Sequence, residues 1–290
     1  MSTVDPARRK QEREASYRGS ASALAWTVVG AVLLVVAGAL AGFGISQFVV
    51  VFRMMNLNSV FSDSPDPDPV WWAIPAAIVA SLVASGVYGR WNHRWSGRTS
   101  DFAGVGPATP WLFGAAASLW WQTTAVWPEP DRVGVAVDPV FHQDAPWGVG
   151  EWIWYASAWW LPGLATVLAL AALVVGAVAR RRRSDQRTLV ASMLRSGQRT
   201  VGTVTAVGGT TSAEATFTVL PWTFSFTDLQ GVQRWVERTE TFRHGTAPVV
   251  GAPVSVLFDP SRPADTGRIF AAPHGGEDAD DYLRVGSAGR

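Results

Sequence analysis

The chain has 290 residues, of which 48% are hydrophobic and 16% charged, with a formal net charge of +1. Soluble domains carry roughly 25% charged residues, so this composition indicates a membrane protein, and the small net charge argues against nucleic acid as a partner. The absence of cysteine excludes disulfides, thiol nucleophiles and cysteine-ligated metal centres.

A basic N-terminal tail at 1–20, expected to be disordered, precedes a predicted transmembrane domain at 21–179 with four apolar spans. The first span is too long for the apolar core of a signal peptide, so we expect it to be retained. The third contains Gln122, Thr123 and Thr124, and a re-entrant or interfacial segment is the alternative there. Pro162 and Gly163 predict a kink in the fourth. The predicted boundaries are about 22–52, 70–89, 109–127 and 152–179.

Charge alternates between the segments that join these spans. Basic loops stay in the cytoplasm, so the alternation predicts a multi-pass protein of the inner (plasma) cell membrane with both termini cytoplasmic. The basic residues are Arg8, Arg9, Lys10, Arg13 and Arg18 in the tail, Arg90, Arg94 and Arg98 in the second loop, and Arg180, Arg181, Arg182, Arg183 and Arg187 after the last span. The acidic residues of the other two loops are Asp63, Asp66, Asp68, Glu129, Asp131, Asp138, Asp144 and Glu151.

Four consecutive arginines, Arg180, Arg181, Arg182 and Arg183, open a basic juxtamembrane segment at 180–198. They are typical of a stop-transfer signal, and each contributes about 1 kcal/mol of attraction to anionic lipid headgroups. We therefore expect the lipid bilayer, and its anionic headgroups in particular, to be a partner. A specific phosphoinositide or nucleic-acid site is the alternative interpretation.

Sixteen tryptophans cluster toward the span ends, which is typical of an aromatic belt at the two membrane surfaces. A ligand-stacking cage is the alternative. Gly38 and Gly42 have the GxxxG spacing that lets helices approach closely, within one chain or between chains of a homo-oligomer. No ionisable residue lies inside the spans, which argues against a proton relay or a coupled transporter.

The remainder, 199–272, alternates polar and apolar residues with period two and predicts a small all-β domain. Val201, Thr203, Thr205 and Val207 are expected on one strand face, and Trp222, Phe224 and Phe226 on another. Tight turns at 228–231 and 259–260 suggest an SH3-like or OB-like barrel. Leu189–Leu194 suggests a short surface helix, and 273–290 is expected to be a disordered tail.

Three strings in this region, SGQRTVGTVTAV, FSFTDLQGVQRWVERTET and VGAPVSVLFDPSRPADTGRI, resemble a family of uncharacterised bacterial membrane proteins with a small β-rich domain of unknown function. Its pattern is G-x-V, then D-x-x-G, then G-x-x-V-x-V-x-[FY]-D-P-x-x-P. The resemblance implies a fold and a location but no catalytic residue. The matching residues are Gly202, Val204, Asp228, Gly231, Gly251, Val254, Val256, Phe258, Asp259, Pro260 and Pro263.

No catalytic, phosphate-binding or metal-binding motif is present. The three aspartates of the first acidic loop lack the pattern of a calcium loop. We therefore expect neither enzymatic activity nor a cofactor or metal. The expected function is a membrane-anchored binding or scaffold module whose β domain contacts an unidentified protein through its edge strands and barrel mouth. The alternative is an oligomeric small-solute channel or transporter subunit.

Overall fold

A computed structural model describes residues 16–59, 69–97, 102–209, 217–243, 246–273, 275–277 and 279–282. The chain divides into two compact units, Met1–Ala177 and Val178–Arg290. The predictions for residues 1–15, for Asp63, Asp66 and Asp68, and for Arg98 lie outside the described residues.

The first unit consists of helices joined by short irregular segments. A π-helical segment, Gln122–Val126, directly continues α3, and a two-stranded ribbon precedes α4. The elements are α1 (Ala21–Leu57), α2 (Ala73–Ser96), α3 (Ala108–Trp121), β1 (Val135–Ala136), β2 (Ala145–Pro146), α4 (Val149–Tyr155) and α5 (Ser157–Ser196).

Three of these helices, α1, α2 and α5, are long and apolar enough to cross a membrane. The predicted class of an apolar helical membrane protein is confirmed to that extent. The count of four spans is not confirmed, because α3 has 14 residues and at about 1.5 Å per residue covers about 21 Å of a core roughly 30 Å thick.

Glycines bring α1 into close contact with its neighbours. A Cβ atom added at Gly42 would lie 2.5 Å from the carbonyl oxygen of Ala115 in α3, and one added at Gly30 would lie 2.7 Å from the Cα atom of Tyr88 in α2. Gly38 packs on the backbone of Trp111. The GxxxG pair therefore packs on α3 within the chain, and a homo-oligomer stays a prediction.

The same contacts give the helix directions. Gly30 lies beside Tyr88 and Gly44 beside Ile74, so α1 and α2 are antiparallel. Gly38 lies beside Trp111 and Gly42 beside Ala115, so α3 runs parallel to α1. Trp120, near the end of α3, donates from Nε1 to the Thr166 hydroxyl at 3.0 Å. The beginning of α5 therefore lies at the end of the bundle where α3 stops.

The fourth predicted span, 152–179, differs from the helices observed there. The helical structure is interrupted at Ala156, between α4 and α5, whereas α5 continues as one helix through Pro162. The Thr166 hydroxyl donates to the Pro162 carbonyl at 2.8 Å. The predicted short surface helix at Leu189–Leu194 is instead the last part of α5, as is most of the juxtamembrane segment at 180–198.

The second unit contains an antiparallel sheet that curls into a half-barrel, which is the part of the predicted SH3-like or OB-like barrel that the structure supports. The strands are ordered β5-β4-β3-β6-β7, so β5 and β7 form the edges. They comprise β3 (Gln198–Val207), β4 (Phe217–Thr227), β5 (Gln233–Arg243), β6 (Pro253–Phe258) and β7 (Ile269–Ala272).

Alternate residues of these strands fill the concave face of the sheet. The predicted trio Trp222, Phe224 and Phe226 is fully buried there, with Val204, Val254 and Phe258 among the residues around it. The prediction for β3 is partly wrong. The pairing of β3 with β4 shifts between Val204 and Ala206, so Val207 packs on the core whereas Val201 is exposed on the opposite face.

Four residues of the predicted disordered tail at 273–290 are helical, whereas residues 274, 278 and 283–290 lie outside the described residues. Ala279–Tyr282 forms a short helix, α6, and Tyr282 is buried. Its hydroxyl donates to the Gly276 carbonyl at 3.0 Å. Tyr282, Leu257 and Ala272 pack with Val190 and Met193 from the end of α5, and so form a second small core on the convex side of the sheet.

Candidate functional site

The edge strand β5 is the candidate functional site of the second unit, and its geometry follows from one proline in β4. In an antiparallel strand the N–H and C=O of one residue point to the same side, and successive residues alternate. Pro221 turns its carbonyl toward β3, where it accepts from the Gly208 N–H at 2.7 Å. Its partner in β5 is Thr239. Thr239 therefore points its own N–H and C=O away from β4.

The same alternation applies along all of β5. The residues that share this outward direction are Gln233, Trp235, Glu237, Thr239 and Thr241. No strand pairs with this side of β5 among the described residues. Among the described residues, the outward N–H and C=O groups of β5 therefore have no strand partner, which is the arrangement that another extended chain can pair with.

The side chains of these outward-pointing residues lie on the convex face of the sheet. Trp235 is 61% exposed, and it lies opposite Ser225 in β4. Glu237 and Thr239 are exposed beside it. A large aromatic ring next to unpaired backbone groups is the kind of anchor that binding surfaces use.

The opposite face of β5 carries charge into the half-barrel. Arg238 donates from Nη2 to the carbonyl oxygens of Thr266, at 2.6 Å, and of Ile269 at the start of β7. Burial lowers the pKa of Arg238 and the neighbouring Glu240 opposes that shift. Because β5 and β7 are the two edges, Arg238 bridges the seam of the half-barrel.

The turn before β5 is fixed by Asp228. Its Oδ1 accepts from the backbone N–H groups of Gln230 and Val232 at 2.8 and 3.0 Å, and its Oδ2 accepts from Arg234 at 2.8 Å. Burial alone would raise the pKa of Asp228, but these hydrogen bonds from Val232, Arg234 and Gln230 lower it below its usual value. The turn thus holds the first residues of β5 in place.

A second aspartate orders the turn after β6. Asp259 accepts from the hydroxyl and the N–H of Ser261 at 2.6 and 3.0 Å, and from Arg268 at 2.9 Å. The hydrogen bonds from the Ser261 hydroxyl, the Ser261 N–H and Arg268 lower the pKa of Asp259. Arg268 also lies 3.7 Å from Asp265, so this network positions the start of β7.

The residues of the sequence motif occupy structural positions. Gly202 packs against β4, where an added Cβ atom would lie 2.6 Å from the Ser225 carbonyl oxygen, and Gly231 and Gly251 adopt positive φ angles of 77° and 87°. Pro260 and Pro263 lie in the turn between β6 and β7. The buried apolar members are Val204, Val254, Val256 and Phe258.

The arginines of the predicted lipid anchor lie in α5 and are all exposed. Four successive residues cover a full helical turn, so their side chains surround the helix. These residues are Arg180, Arg181, Arg182 and Arg183. The structure does not bring them together with the motif residues into one site.

The polar cluster of the predicted third span lies in the π-helical segment Gln122–Val126. The hydroxyls of Thr123 and Thr124 both donate to the Trp120 carbonyl, at 3.3 and 2.7 Å. Gln122 is buried, and its Oε1 has no hydrogen-bond partner in the described part of the chain. Two of the three groups are thus occupied by the helix itself.

Sequence reasoning missed two groups. The alternation of residues in β5 could have predicted the charged side chains inside the half-barrel, because charged and buried apolar residues share one face of this strand. These residues are Arg234, Val236, Arg238, Glu240 and Phe242. Arg53 directly follows the predicted first span, at its boundary with an acidic loop, yet it is buried. Its burial depends on aromatic residues far along the sequence, so no local pattern could indicate it.

Part of the predicted aromatic belt is a packed cluster. Trp147 is buried, donates from Nε1 to the Leu57 carbonyl at 2.9 Å, and lies 5.2 Å from Trp152 between ring centroids. Trp71 and Trp72 remain largely exposed, as a belt requires.

No family model, curated protein or solved structure matches the chain. The family resemblance that rests on the sequence motif therefore stays a prediction.

Proposed function

We propose that the protein is a membrane-anchored binding module that captures an extended segment of a partner protein on the edge strand β5. The single observation that carries this proposal is the direction of the β5 backbone, fixed by the bond from the Gly208 N–H to the Pro221 carbonyl. An added strand would gain main-chain hydrogen bonds from β5, and alternate side chains would give specificity. Trp235 supplies the exposed anchor beside that edge.

The proposed anchor crosses the membrane four times, with α3 and its π-helical continuation as the third crossing. These elements have 14 and five residues and together cover about 28 Å at about 1.5 Å per residue, close to the ~30 Å core. Two contacts support this proposal. Trp111 lies beside Gly38, and Arg53 donates to the Pro128 carbonyl at 2.7 Å, so residues 111–128 accompany α1 toward its C-terminal end.

Four crossings place both termini, the β domain and the exposed arginines of α5 on the cytoplasmic side of the cell membrane. An odd number of crossings would leave these arginines on the opposite side from the basic tail, against the bias of basic residues toward the cytoplasm. On the cytoplasmic side, Arg180 and its three neighbours contact anionic lipid headgroups and fix the end of the span.

The binding edge is tested by photo-crosslinking in growing cells. A crosslinking amino acid replaces Glu237 on the edge strand or, as the control, Thr205 on the central strand β3. Thr239→Pro is then added, because it removes one outward N–H and leaves the bonds to β4 intact. Thr239→Val is the matched control that keeps this N–H.

We expect a protein adduct from position 237, its loss with Thr239→Pro, and its retention with Thr239→Val. Position 205 should give no adduct. The proposal is wrong if no adduct forms at position 237, or if the adduct survives the proline substitution. An adduct of the mass of a second copy would identify the partner as this chain itself.

A further inference from the structure

Arg53 carries a buried positive charge at the C-terminal end of α1, in the first unit, whereas the proposed binding edge on β5 belongs to the second. The residue is 3% exposed. Its Nη1 donates to the Pro128 carbonyl at 2.7 Å and lies 3.8 Å from the Met54 sulfur. Its guanidinium carbon stands 5.6 and 5.7 Å from the ring centroids of Trp127 and Tyr155.

This charge has no anionic partner in contact with it among the described residues. Glu129 acts on Arg53 electrostatically, but it is exposed and forms no ion pair with it. The Nε atom is buried and has no hydrogen-bond partner in the described part of the chain. Buried guanidinium groups are normally both hydrogen-bonded and paired, so the unpartnered Nε is a donor that a bound molecule could satisfy.

The geometry selects the ligand class. A guanidinium binds phosphate through two parallel N–H donors, and because Nη1 already serves Pro128, the Nε edge remains for a ligand. Trp127 and Tyr155, which cover Arg53, are only half-buried. Trp127 is held by a hydrogen bond from its Nε1 to the Ser46 hydroxyl at 2.7 Å, so an anion can reach Nε only if the Tyr155 ring moves aside. Such rings are enriched at the level of lipid headgroups, where phosphate is abundant.

We propose that the Nε edge of Arg53 binds the phosphate group of a membrane phospholipid. Trp127 and Tyr155 lie over the guanidinium and keep Arg53 shielded from water. Glu129 opposes binding, because its carboxylate lies near enough to repel an anion.

The test uses the full chain purified in dodecyl maltoside. Dioleoylphosphatidylglycerol, inorganic phosphate and dioleoylglycerol are added separately, and binding is followed by native mass spectrometry and by the thermal shift of the chain. We expect saturable binding of phosphatidylglycerol, much weaker binding of inorganic phosphate, and none of dioleoylglycerol, which lacks the phosphate.

Variants then locate the site. Arg53→Gln should weaken phosphatidylglycerol binding at least tenfold, while Arg132→Gln, at an exposed arginine of the following loop, should leave it unchanged. Arg53→Lys keeps the positive charge but lacks the two parallel N–H donors of a guanidinium. It should therefore retain the wild-type tryptophan emission and still bind phosphatidylglycerol tenfold more weakly. Glu129→Gln should tighten the binding of phosphatidylglycerol. If Glu129 served only to balance the charge of Arg53 in the fold, the same substitution would lower the stability of the chain without tightening binding.

Wild-type affinity of both Arg53 variants would overturn the proposal, as would equal binding of phosphatidylglycerol and dioleoylglycerol. Equal affinity for inorganic phosphate and phosphatidylglycerol would overturn the lipid as the source of the phosphate.

Discussion

Gly42 is a position where one added carbon should disturb the packing of α1 against α3. The Cβ atom of an alanine there would lie 2.5 Å from the Ala115 carbonyl oxygen and 3.1 Å from the Ser118 Cβ atom, whereas ordinary contact begins at 3.4 Å. Overpacking of this kind costs about 1–3 kcal/mol. The better helix propensity of alanine returns about 0.5–1 kcal/mol. Because the clashing atom belongs to the backbone, we expect an overpacking cost of about 2–3 kcal/mol, so Gly42→Ala should lower the free energy of unfolding by about 1–2.5 kcal/mol.

Gly86 in α2 is the matched control, because an added Cβ atom meets no other atom within 4 Å. Gly86→Ala should be neutral or stabilising by about 0.5–1 kcal/mol. The full chain in detergent micelles is unfolded with SDS and followed by tryptophan fluorescence, and its association state is measured by light scattering. Equal stability of the two variants would refute the packing, and loss of a dimer in Gly42→Ala at unchanged monomer stability would assign the glycines to an interface between chains.

Three further predictions concern the β domain within the full chain, each read from its unfolding free energy. The pKa of Asp228 is depressed in the folded chain, so its ionised carboxylate stabilises the fold above its unfolded pKa of about 3.9, and this stabilisation is lost as pH falls through the folded pKa. Asp228→Asn should therefore destabilise the chain at pH 6 and progressively less below pH 4. A difference in unfolding free energy that does not change with pH would contradict this. Arg238→Met removes the bridge across the seam and should cost about 2 kcal/mol, whereas no change would mean that the bridge is not formed. Leu257→Ala opens a cavity beneath α6 and should cost about 2–5 kcal/mol, while a cost below 1 kcal/mol would place Leu257 outside a packed core.

The sequence was most informative where one local pattern determines the structure. Apolar runs located α1, α2 and α5, and alternation located the buried face of β4 through Trp222, Phe224 and Phe226. These signals are local, because a strand or an apolar helix exposes its periodicity within about ten residues.

Features that depend on distant contacts were not predictable. The shift in pairing near Val204 moves Val207 onto the core, and nothing in β3 itself specifies it. Tyr282 packs on Leu257 and on the end of α5, which are distant in the sequence. The residues that precede it in the sequence are mostly polar, and they suggested disorder. The outward direction of the β5 backbone groups follows from the hydrogen bond between the Gly208 N–H and the Pro221 carbonyl, and this bond forms outside β5 itself.

The side of the membrane on which β5 lies tests the account most directly, and the absence of cysteine makes the measurement clean. Gln143, exposed in the segment before α4, and Gln230, exposed in the turn before β5, are replaced singly by cysteine. Intact cells are treated with a membrane-impermeant maleimide. The account predicts that Gln143→Cys reacts in intact cells and that Gln230→Cys reacts only after lysis. Reaction of Gln230→Cys in intact cells would place β5 outside and contradict the proposed cytoplasmic partner.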